Sequence, residues 1–215
     1  GSPRPASGRT VDEEGWLEHI AAGGPPAAFV SMDLGPGGTP HICYGDMSER
    51  NGTLMYTYRE GGLWHPEVVD GLGGRWTDIA VSPGGVPHVS YNSPSGLMYG
   101  TRELDGWHLR MVDGWGTDTS IALDSAGEPH ISYYYWGDLR HAWKNGTAWV
   151  VETVWEGVDE EADTGEFTSI ALDDSDAVHI SFFDSHAEAR YATRNGSVWD
   201  VELIDDQGGG EPSLA

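Results

Sequence analysis

The sequence predicts an all-β protein, a β-propeller built from four-stranded antiparallel blades. One stretch recurs four times with small variations, at residues 29–44, 76–91, 119–134 and 168–183, and its clearest copy reads TSIALDSAGEPHISYY. Successive copies are separated by 47, 42 and 49 residues, measured between their histidines His41, His88, His130 and His179. A repeat of about 40–50 residues that carries four strand-like segments is typical of one propeller blade.

Each copy divides into four short segments, which we call A, B, C and D in chain order. Segment A alternates small and apolar residues, as in Ser120–Asp124, and a turn rich in Asp, Gly and Pro follows it. Segment B begins with histidine and continues with alternating apolar and polar residues, as in His130–Tyr134. A period of two over four to eight residues, bounded by turn residues, indicates β-strands.

Segment C has the pattern Leu-x-x-x-x-basic, at Leu54–Arg59, Leu97–Arg102 and Leu139–Lys144, with Ala189–Arg194 as a looser copy. Segment D follows a glycine-containing turn and carries one tryptophan per copy: Trp64, Trp107, Trp149 and Trp199. A single blade cannot bury both of its apolar faces, so neighbouring blades must cover them. We therefore expect these tryptophans, and the histidines of segment B, to be packing residues. The histidines should hydrogen-bond a neighbouring backbone or the adjacent blade, and a metal site on the ring axis is the alternative for them.

Both ends of the chain carry pieces of a fifth blade. Trp16 resembles a segment D and lies 48 residues before Trp64, while Glu211–Ala215 resembles the segment A at Thr168–Ala171. We predict one domain over residues 1–215, with repeats at approximately 29–70, 76–113, 119–155 and 167–205 and a closing blade from 3–20 plus 211–215. The prediction is a five-bladed ring. The alternatives are a four-bladed ring and a fragment of a longer propeller.

Composition limits the partners. The chain has 35 acidic and 11 basic residues and a net charge of −24, which disfavours nucleic acid and anionic membranes as partners. Cys43 is the single cysteine, so no intrachain disulfide forms, and we expect it to be a small buried residue. No apolar run is long enough to span a membrane, and we expect no signal peptide; the opening Gly-Ser resembles the remnant of an expression tag, so the native N-terminus is not read from this sequence. The compartment stays open, with an extracellular or periplasmic location favoured.

The repeated unit S-I-A-L-D-S-x-G-x-P-H-I-S-Y-Y resembles the repeat of bacterial secreted β-propellers that are loosely grouped with sialidase-like and lectin-like propellers. The resemblance covers roughly Gly15 to Ala215. It implies the architecture rather than an activity, because such propellers include lectins, polysaccharide lyases, glycosidases and scaffolds. The Asp-box pattern of sialidases, Ser-x-Asp-x-Gly-x-Thr-Trp, is absent from every A–B turn, and no arginine triad is evident. Sialidase activity is therefore not expected.

In a propeller the D–A and B–C loops lie on one face, where ligands usually bind. These loops contain aromatic and charged residues that the repeat does not require. The predicted ligand-binding residues are Trp76, Trp115, Trp136, Trp155, Arg75, Tyr135 and Asp46. Sugar rings stack on aromatic faces while their hydroxyls bond carboxylates, so the set favours binding of a glycan or another small ligand. The alternative is that these aromatics only cap the loop layer.

Two other function classes stay open. A polysaccharide-active enzyme would use Asp46 and Asp184 as a glycosidase pair, or His186 and Tyr135 as lyase bases with Arg75 neutralising a uronate. A scaffold would self-associate through the incomplete closing blade. We expect no cofactor to be required. Ca²⁺ is the metal that could bind, and its candidate ligands lie in one acidic turn: Asp173, Asp174 and Asp176.

Overall fold

The computed structural model describes residues 9–11, 17–19, 27–48, 50–157, 166–184, 186 and 188–206. The described chain consists of strands joined by short turns, with one 3-10 turn at Pro36–Gly38. Strands β1 (Arg9–Val11) and β2 (Leu17–His19) pair antiparallel as a separate two-stranded sheet. Among the described residues, no helix has the length and apolar character to cross a bilayer.

The other sixteen strands form four antiparallel sheets of four strands each, in sequential order. We call these sheets blades 1 to 4. Blade 1 contains β3 (Ala27–Gly35), β4 (Thr39–Asp46), β5 (Thr53–Glu60) and β6 (Leu63–Asp70). Blade 2 contains β7 (Arg75–Val81), β8 (Pro87–Ser93), β9 (Gly96–Glu103) and β10 (Gly106–Asp113). Blade 3 contains β11 (Thr117–Leu123), β12 (Pro129–Tyr135), β13 (Asp138–Asn145) and β14 (Ala148–Trp155). Blade 4 contains β15 (Glu166–Leu172), β16 (Val178–Phe183), β17 (Ala189–Asn195) and β18 (Val198–Asp205).

This arrangement confirms the predicted β-propeller of four-stranded antiparallel blades. Segments A to D are the four strands of each blade. The first strands β3, β7, β11 and β15 are the inner ones, because each packs beside the next and all four line a central channel of about 840 Å³. The core lies between the blades and contains side chains of neighbouring sheets, such as Leu97 of blade 2 with Ile131 of blade 3.

The histidines of segment B bond within their own blade, to the third strand. His41 and His88 each lie 2.6 Å from a tyrosine hydroxyl, of Tyr56 and Tyr99 respectively. His179 makes the same bond to Tyr191, and His130 bonds His141 instead. These contacts support the expected structural role of the histidines. The expected partner was wrong, because each histidine bonds a side chain of its own blade and not a backbone group or the adjacent blade. The tyrosine lies within reach because the third strand of the blade runs antiparallel beside the second strand, next to the histidine.

The segment D tryptophans of blades 2 to 4 pack across the blade boundaries. Trp107 and Trp149 meet Tyr56 and Tyr99 of the preceding blade edge-on, each with ring centroids 5.2 Å apart. Trp199 meets His141 of blade 3 in the same way at 5.5 Å. Edge-to-face pairs of this kind stabilise the contact beyond the area they bury. The predicted packing role is therefore observed for these three residues.

Hydroxyl and thiol pairs join each second strand to the inner strand of the following blade. The bonded pairs are Cys43–Thr77, Ser90–Thr119 and Ser132–Thr168, at 3.2, 2.7 and 2.8 Å. Cys43 is fully buried, as predicted, and burial raises the pKa of its thiol to about 12. In blade 4 the equivalent Ser181 Oγ is buried and has no partner among the described residues. In the other three blades the group at this position bonds the inner strand of the next blade.

Blades 1 and 4 each present a face that no described blade covers. Ile204 on blade 4 is 63% exposed, whereas Val154, its equivalent on blade 3, is 7% exposed. The fifth-blade prediction rests on Trp16 and Glu211–Ala215, which lie outside the described residues. The described part of the chain contains four complete blades, and the five-bladed ring stays a prediction.

Candidate functional site

Every inner strand begins with a β-bulge. The pairing of the first two strands shifts register at the same place in each blade, for example between Ala28 and Ser31 and between Arg75 and Asp78. One residue inside each bulge has a left-handed backbone: Phe29 (φ 54°), Trp76 (φ 46°), Asp118 (φ 49°) and Phe167 (φ 50°). This conformation costs a residue with a Cβ about 1–2 kcal/mol, so four occurrences at one position indicate a constraint.

These four bulge residues surround one end of the central channel, which we call the channel mouth. They line a pocket of about 220 Å³ together with the next residue of each strand, Val30, Thr77, Thr119 and Thr168. The latter four also line the channel itself, so the mouth leads into it. The mouth therefore combines three aromatic rings with one carboxylate at equivalent positions around the axis.

The aromatic rings of the mouth have defined neighbours. Phe29 and Trp76 are in contact, with centroids 5.4 Å apart and planes tilted by 43°. Phe167 is 44% exposed and meets Phe183 edge-on at 6.5 Å. Asp118 is partly exposed between Trp76 and Phe167 in blade order. The mouth thus presents three aromatic side chains and one carboxylate, next to the valine and the three threonines that follow them in the chain.

Below the mouth, Asp78 of blade 2 forms hydrogen bonds with both neighbouring blades, 1 and 3. Its carboxylate accepts hydrogen bonds from Ser31 Oγ at 2.5 Å, Ser120 Oγ at 3.0 Å and the Ile121 amide at 2.8 Å. The other three blades have serine at this position: Ser31, Ser120 and Ser169. Burial raises the pKa of Asp78, and its hydrogen bonds act in the opposite direction. Asp78 is thus a structural carboxylate of the channel wall.

Two of the predicted ligand-binding tryptophans stack on each other at the edge of the same face. Trp115 and Trp136 have centroids 4.8 Å apart and planes 26° apart, and Trp136 is 69% exposed with a left-handed φ of 48°. Trp115 also lines a pocket of about 350 Å³ with Arg50 and Arg75. Its buried indole Nε1 has no hydrogen-bond partner among the described residues. The structure brings Trp115 together with Trp136 and Arg75, whereas Trp76 lines the separate pocket at the mouth.

The remaining predicted ligand residues are engaged in loop contacts. The Arg140 guanidinium lies 3.4 Å from the ring centre of Tyr135 and bonds Asp113 Oδ2 at 3.2 Å. Arg190 lies over Trp155 at 5.1 Å. Asp46 accepts from the amide of Ser48 at 2.9 Å and so caps its own turn. Tyr135 and Trp155 are therefore cation-covered rings rather than open platforms.

Asp184 and His186, the predicted catalytic residues of blade 4, belong to one hydrogen-bonded loop. Asp184 is buried and accepts from Arg190 Nε at 2.5 Å and from the amides of His186 and Glu188. Burial alone would raise the pKa of Asp184, but the bond from Arg190 and the amide bonds more than offset it and hold the pKa below its ordinary value. Asp184 thus organises its loop as an anion, which is not the environment of a general acid.

The acidic turn proposed for Ca²⁺ uses its carboxylates as turn and interblade acceptors. Asp173 accepts from the amides of Ser175 and Ala177, and Asp176 accepts from the amide and hydroxyl of Ser125 in blade 3. Among the described residues, the one group of three potential metal-ligating side chains within 4.8 Å of one another is Glu103, Asp105 and His108. The predicted ligands Asp173, Asp174 and Asp176 are not part of it.

Sequence reasoning identified Trp76 but missed Phe29, Asp118 and Phe167. Each of the four lies twelve residues before the histidine of its segment B, so a stricter alignment of the repeats groups them. Alignment alone would not reveal the bulge that brings them to the channel mouth. The left-handed backbone is visible only in the structure.

Comparisons with known proteins establish the fold. No protein-family model and no curated protein matches the chain. Among solved structures, AofleA from Arthrobotrys oligospora matches with a TM-score of 0.60 at 14% identity, over 84% of this chain and 57% of that one. The α-L-arabinanase of Penicillium chrysogenum in complex with arabinobiose matches with a TM-score of 0.64 at 12% identity, over 88% and 71%.

A third solved structure is the Aleuria aurantia lectin in complex with Fucα1-6GlcNAc, with a TM-score of 0.57 at 15% identity, over 88% of this chain and 67% of that one. At these identities the likeness concerns the β-propeller fold alone. The chain spans 57% of the length of the AofleA structure it matches.

Proposed function

We propose that this protein binds carbohydrate at the channel mouth. The observation that carries the proposal is the ring of Phe29, Trp76, Asp118 and Phe167, each held in a left-handed conformation. Strain repeated at one position of every blade is retained at a cost, which is the pattern of a functional site. Three aromatic faces and one carboxylate fit the apolar face and the hydroxyls of a neutral sugar.

The proposal agrees with the proteins of similar fold, whose names include a lectin and an arabinanase with bound saccharides. It also agrees with the resemblance of the repeat to secreted propellers, and on that ground we place the activity outside the cytoplasm. The mouth pocket of about 220 Å³ is below the 300–1,000 Å³ typical of ligand sites, so it fits one sugar unit rather than a long chain. The protein would thus recognise the terminal sugar residue of a glycan.

The experiment is a glycan array with the whole chain, with and without Ca²⁺, followed by product analysis on each hit. The variants are Trp76→Ala and Phe167→Ala, with Leu104→Ala as the control because Leu104 is fully exposed on the opposite face. We expect both mouth variants to weaken retention at least tenfold and the control to bind normally. Equal retention by all three variants would refute the mouth as the site. Release of product would favour a glycoside hydrolase or lyase instead.

A second candidate function is self-association through the uncovered end faces. It is favoured by the exposure of Ile204 on blade 4 and by Ser181 Oγ of the same blade, which is buried without a partner among the described residues. In the preceding blades, the residues at these two positions form one side of the contact with the next blade. Light scattering over a hundredfold range of concentration tests it, and a monomer at every concentration would exclude it.

A further inference from the structure

An ion pair bridges two of the three blade boundaries at equivalent positions. Glu67 on the fourth strand of blade 1 bonds Arg102 on the third strand of blade 2, at 2.8 Å. Glu152 of blade 3 bonds Arg194 of blade 4 at 3.2 Å. At the first boundary Trp107 also donates its indole N–H to Glu67, at 3.3 Å. The repeat therefore places an anion beside the base and the tryptophan of the next blade.

The boundary between blades 2 and 3 departs from this pattern. Arg110 is paired with Tyr99 in the sheet as Glu67 is paired with Tyr56, so it has the position of the glutamate. Lys144 is paired with Trp149 as Arg102 is paired with Trp107, so it has the position of the base. Two cations thus occupy the positions that elsewhere form an ion pair. Both line one pocket of about 420 Å³.

Among the described residues Arg110 forms no ion pair, and the ion pair of Lys144 is longer than those at the other two boundaries. Arg110 donates to the carbonyl of its neighbour Leu109 at 2.9 Å. Lys144 Nζ lies 3.9 Å from a carboxylate oxygen of Glu128 and 5.6 Å from the ring centre of Tyr99. Glu103 lines the pocket as an exposed rim residue. His108 also lines it and is bridged to Asp105 at 2.7 Å.

We propose that this pocket binds an oxyanion, a carboxylate or a sulfate, carried by a ligand of monosaccharide size. The oxyanion takes the place of the missing glutamate carboxylate, between Arg110 and Lys144. Because Trp149 is equivalent to Trp107, which donates to Glu67, we expect the indole N–H of Trp149 to donate to the oxyanion. Tyr99 and Trp149 supply an aromatic wall, and the pocket volume of about 420 Å³ lies within the usual range for ligand sites.

This site is independent of the channel mouth. The pocket includes Gly146 and Thr147, which form the turn between β13 and β14. In every blade this turn lies at the end opposite to the bulge, because the strands are antiparallel. Failure of the carbohydrate proposal at the mouth would leave the oxyanion site untouched, and the reverse also holds.

The test is isothermal titration of the whole chain at low salt with three probes: glucuronate, glucose 6-sulfate and glucose. We expect one or both anions to bind and glucose to bind at least tenfold more weakly. Arg110→Glu restores the ion pair of the other boundaries, so it should weaken anion binding at least tenfold without lowering the melting temperature. Arg59→Glu makes the same charge change at an exposed position of blade 1 and should change binding less than twofold.

Lys144→Gln is the second variant, should Arg110→Glu disturb folding, and it too should weaken anion binding at least tenfold. Binding of one anion alone supports the site and identifies which oxyanion it accepts. The proposal is overturned if neither anion binds, if glucose binds as tightly as the anions, or if Arg59→Glu weakens binding as much as Arg110→Glu.

Discussion

Met32 is 58% exposed, whereas Ile79, at the equivalent position of the next inner strand, is 5% exposed. The two residues have the same place in the repeat, and the difference is that blade 1 has no described blade before it. Ile204 at the other end of the blade series is uncovered in the same way. The repeat pattern therefore predicts that a further blade covers both ends and completes the ring.

Deletion of residues 207–215 tests whether the chain supplies that blade itself. If Glu211–Ala215 forms the inner strand of a closing blade, that blade covers Met32 and Ile204. The deletion would remove this cover and should lower the free energy of unfolding by about 2 kcal/mol or more, because apolar area at the two residues returns to water. Urea unfolding at two protein concentrations measures this. An unchanged urea midpoint would argue against closure by the C-terminal segment, and a midpoint that depends on concentration would indicate a second copy instead.

The blade boundaries should carry much of the stability. Trp107 packs edge-on against Tyr56 and donates a hydrogen bond to Glu67, so Trp107→Ala removes a large, partly buried ring and an interblade bond. We expect a loss of about 3 kcal/mol in the free energy of unfolding. Leu104→Ala, at a fully exposed position, should cost less than about 0.5 kcal/mol. A similar loss for both variants would mean that the boundary contact is not what stabilises the ring.

The sequence predicted the blades because a period of 42–49 residues and a strand period of two are both visible in it. It also predicted the burial of Cys43 and the packing role of Trp107, Trp149 and Trp199. It did not predict that His41 and His88 bond tyrosines of strand C, because that contact depends on the register between two strands. Nor did it predict the channel mouth, since Phe29 and Phe167 look like ordinary strand residues until the bulge turns their backbone.

Stability should fall as the pH drops from about 6.5 to 4. Burial, and secondly the charge of Lys144, lower the pKa of His88 from its ordinary value of 6.5 to about 4. The unfolded chain then binds a proton that the folded chain does not, so the stabilisation is complete above the unfolded pKa and is lost as the pH falls toward the folded one. For His88 the loss should reach about 2–3 kcal/mol near pH 4.

His88→Asn should make the pH dependence of the urea midpoint shallower between these two values. His108→Asn is the matched control, because the Asp105 carboxylate raises the pKa of that exposed imidazole and its contribution has the opposite sign. The net charge of −24 affects all three proteins alike, so the comparison isolates the buried imidazole. Identical slopes for the wild type and His88→Asn would contradict this prediction.

The last prediction concerns the strain at the channel mouth. Phe167 has a φ of 50°, where a Cβ is unfavourable and glycine is not. Phe167→Ala and Phe167→Gly both remove the ring, so the difference between them reports the backbone alone. We expect the glycine variant to be more stable than the alanine variant by about 1 kcal/mol, the reverse of the order in an ordinary strand. Thermal or urea unfolding of the two proteins measures this. If alanine is equally or more stable, the left-handed backbone is not a strained state, and its recurrence in four blades loses its value as evidence for a binding site.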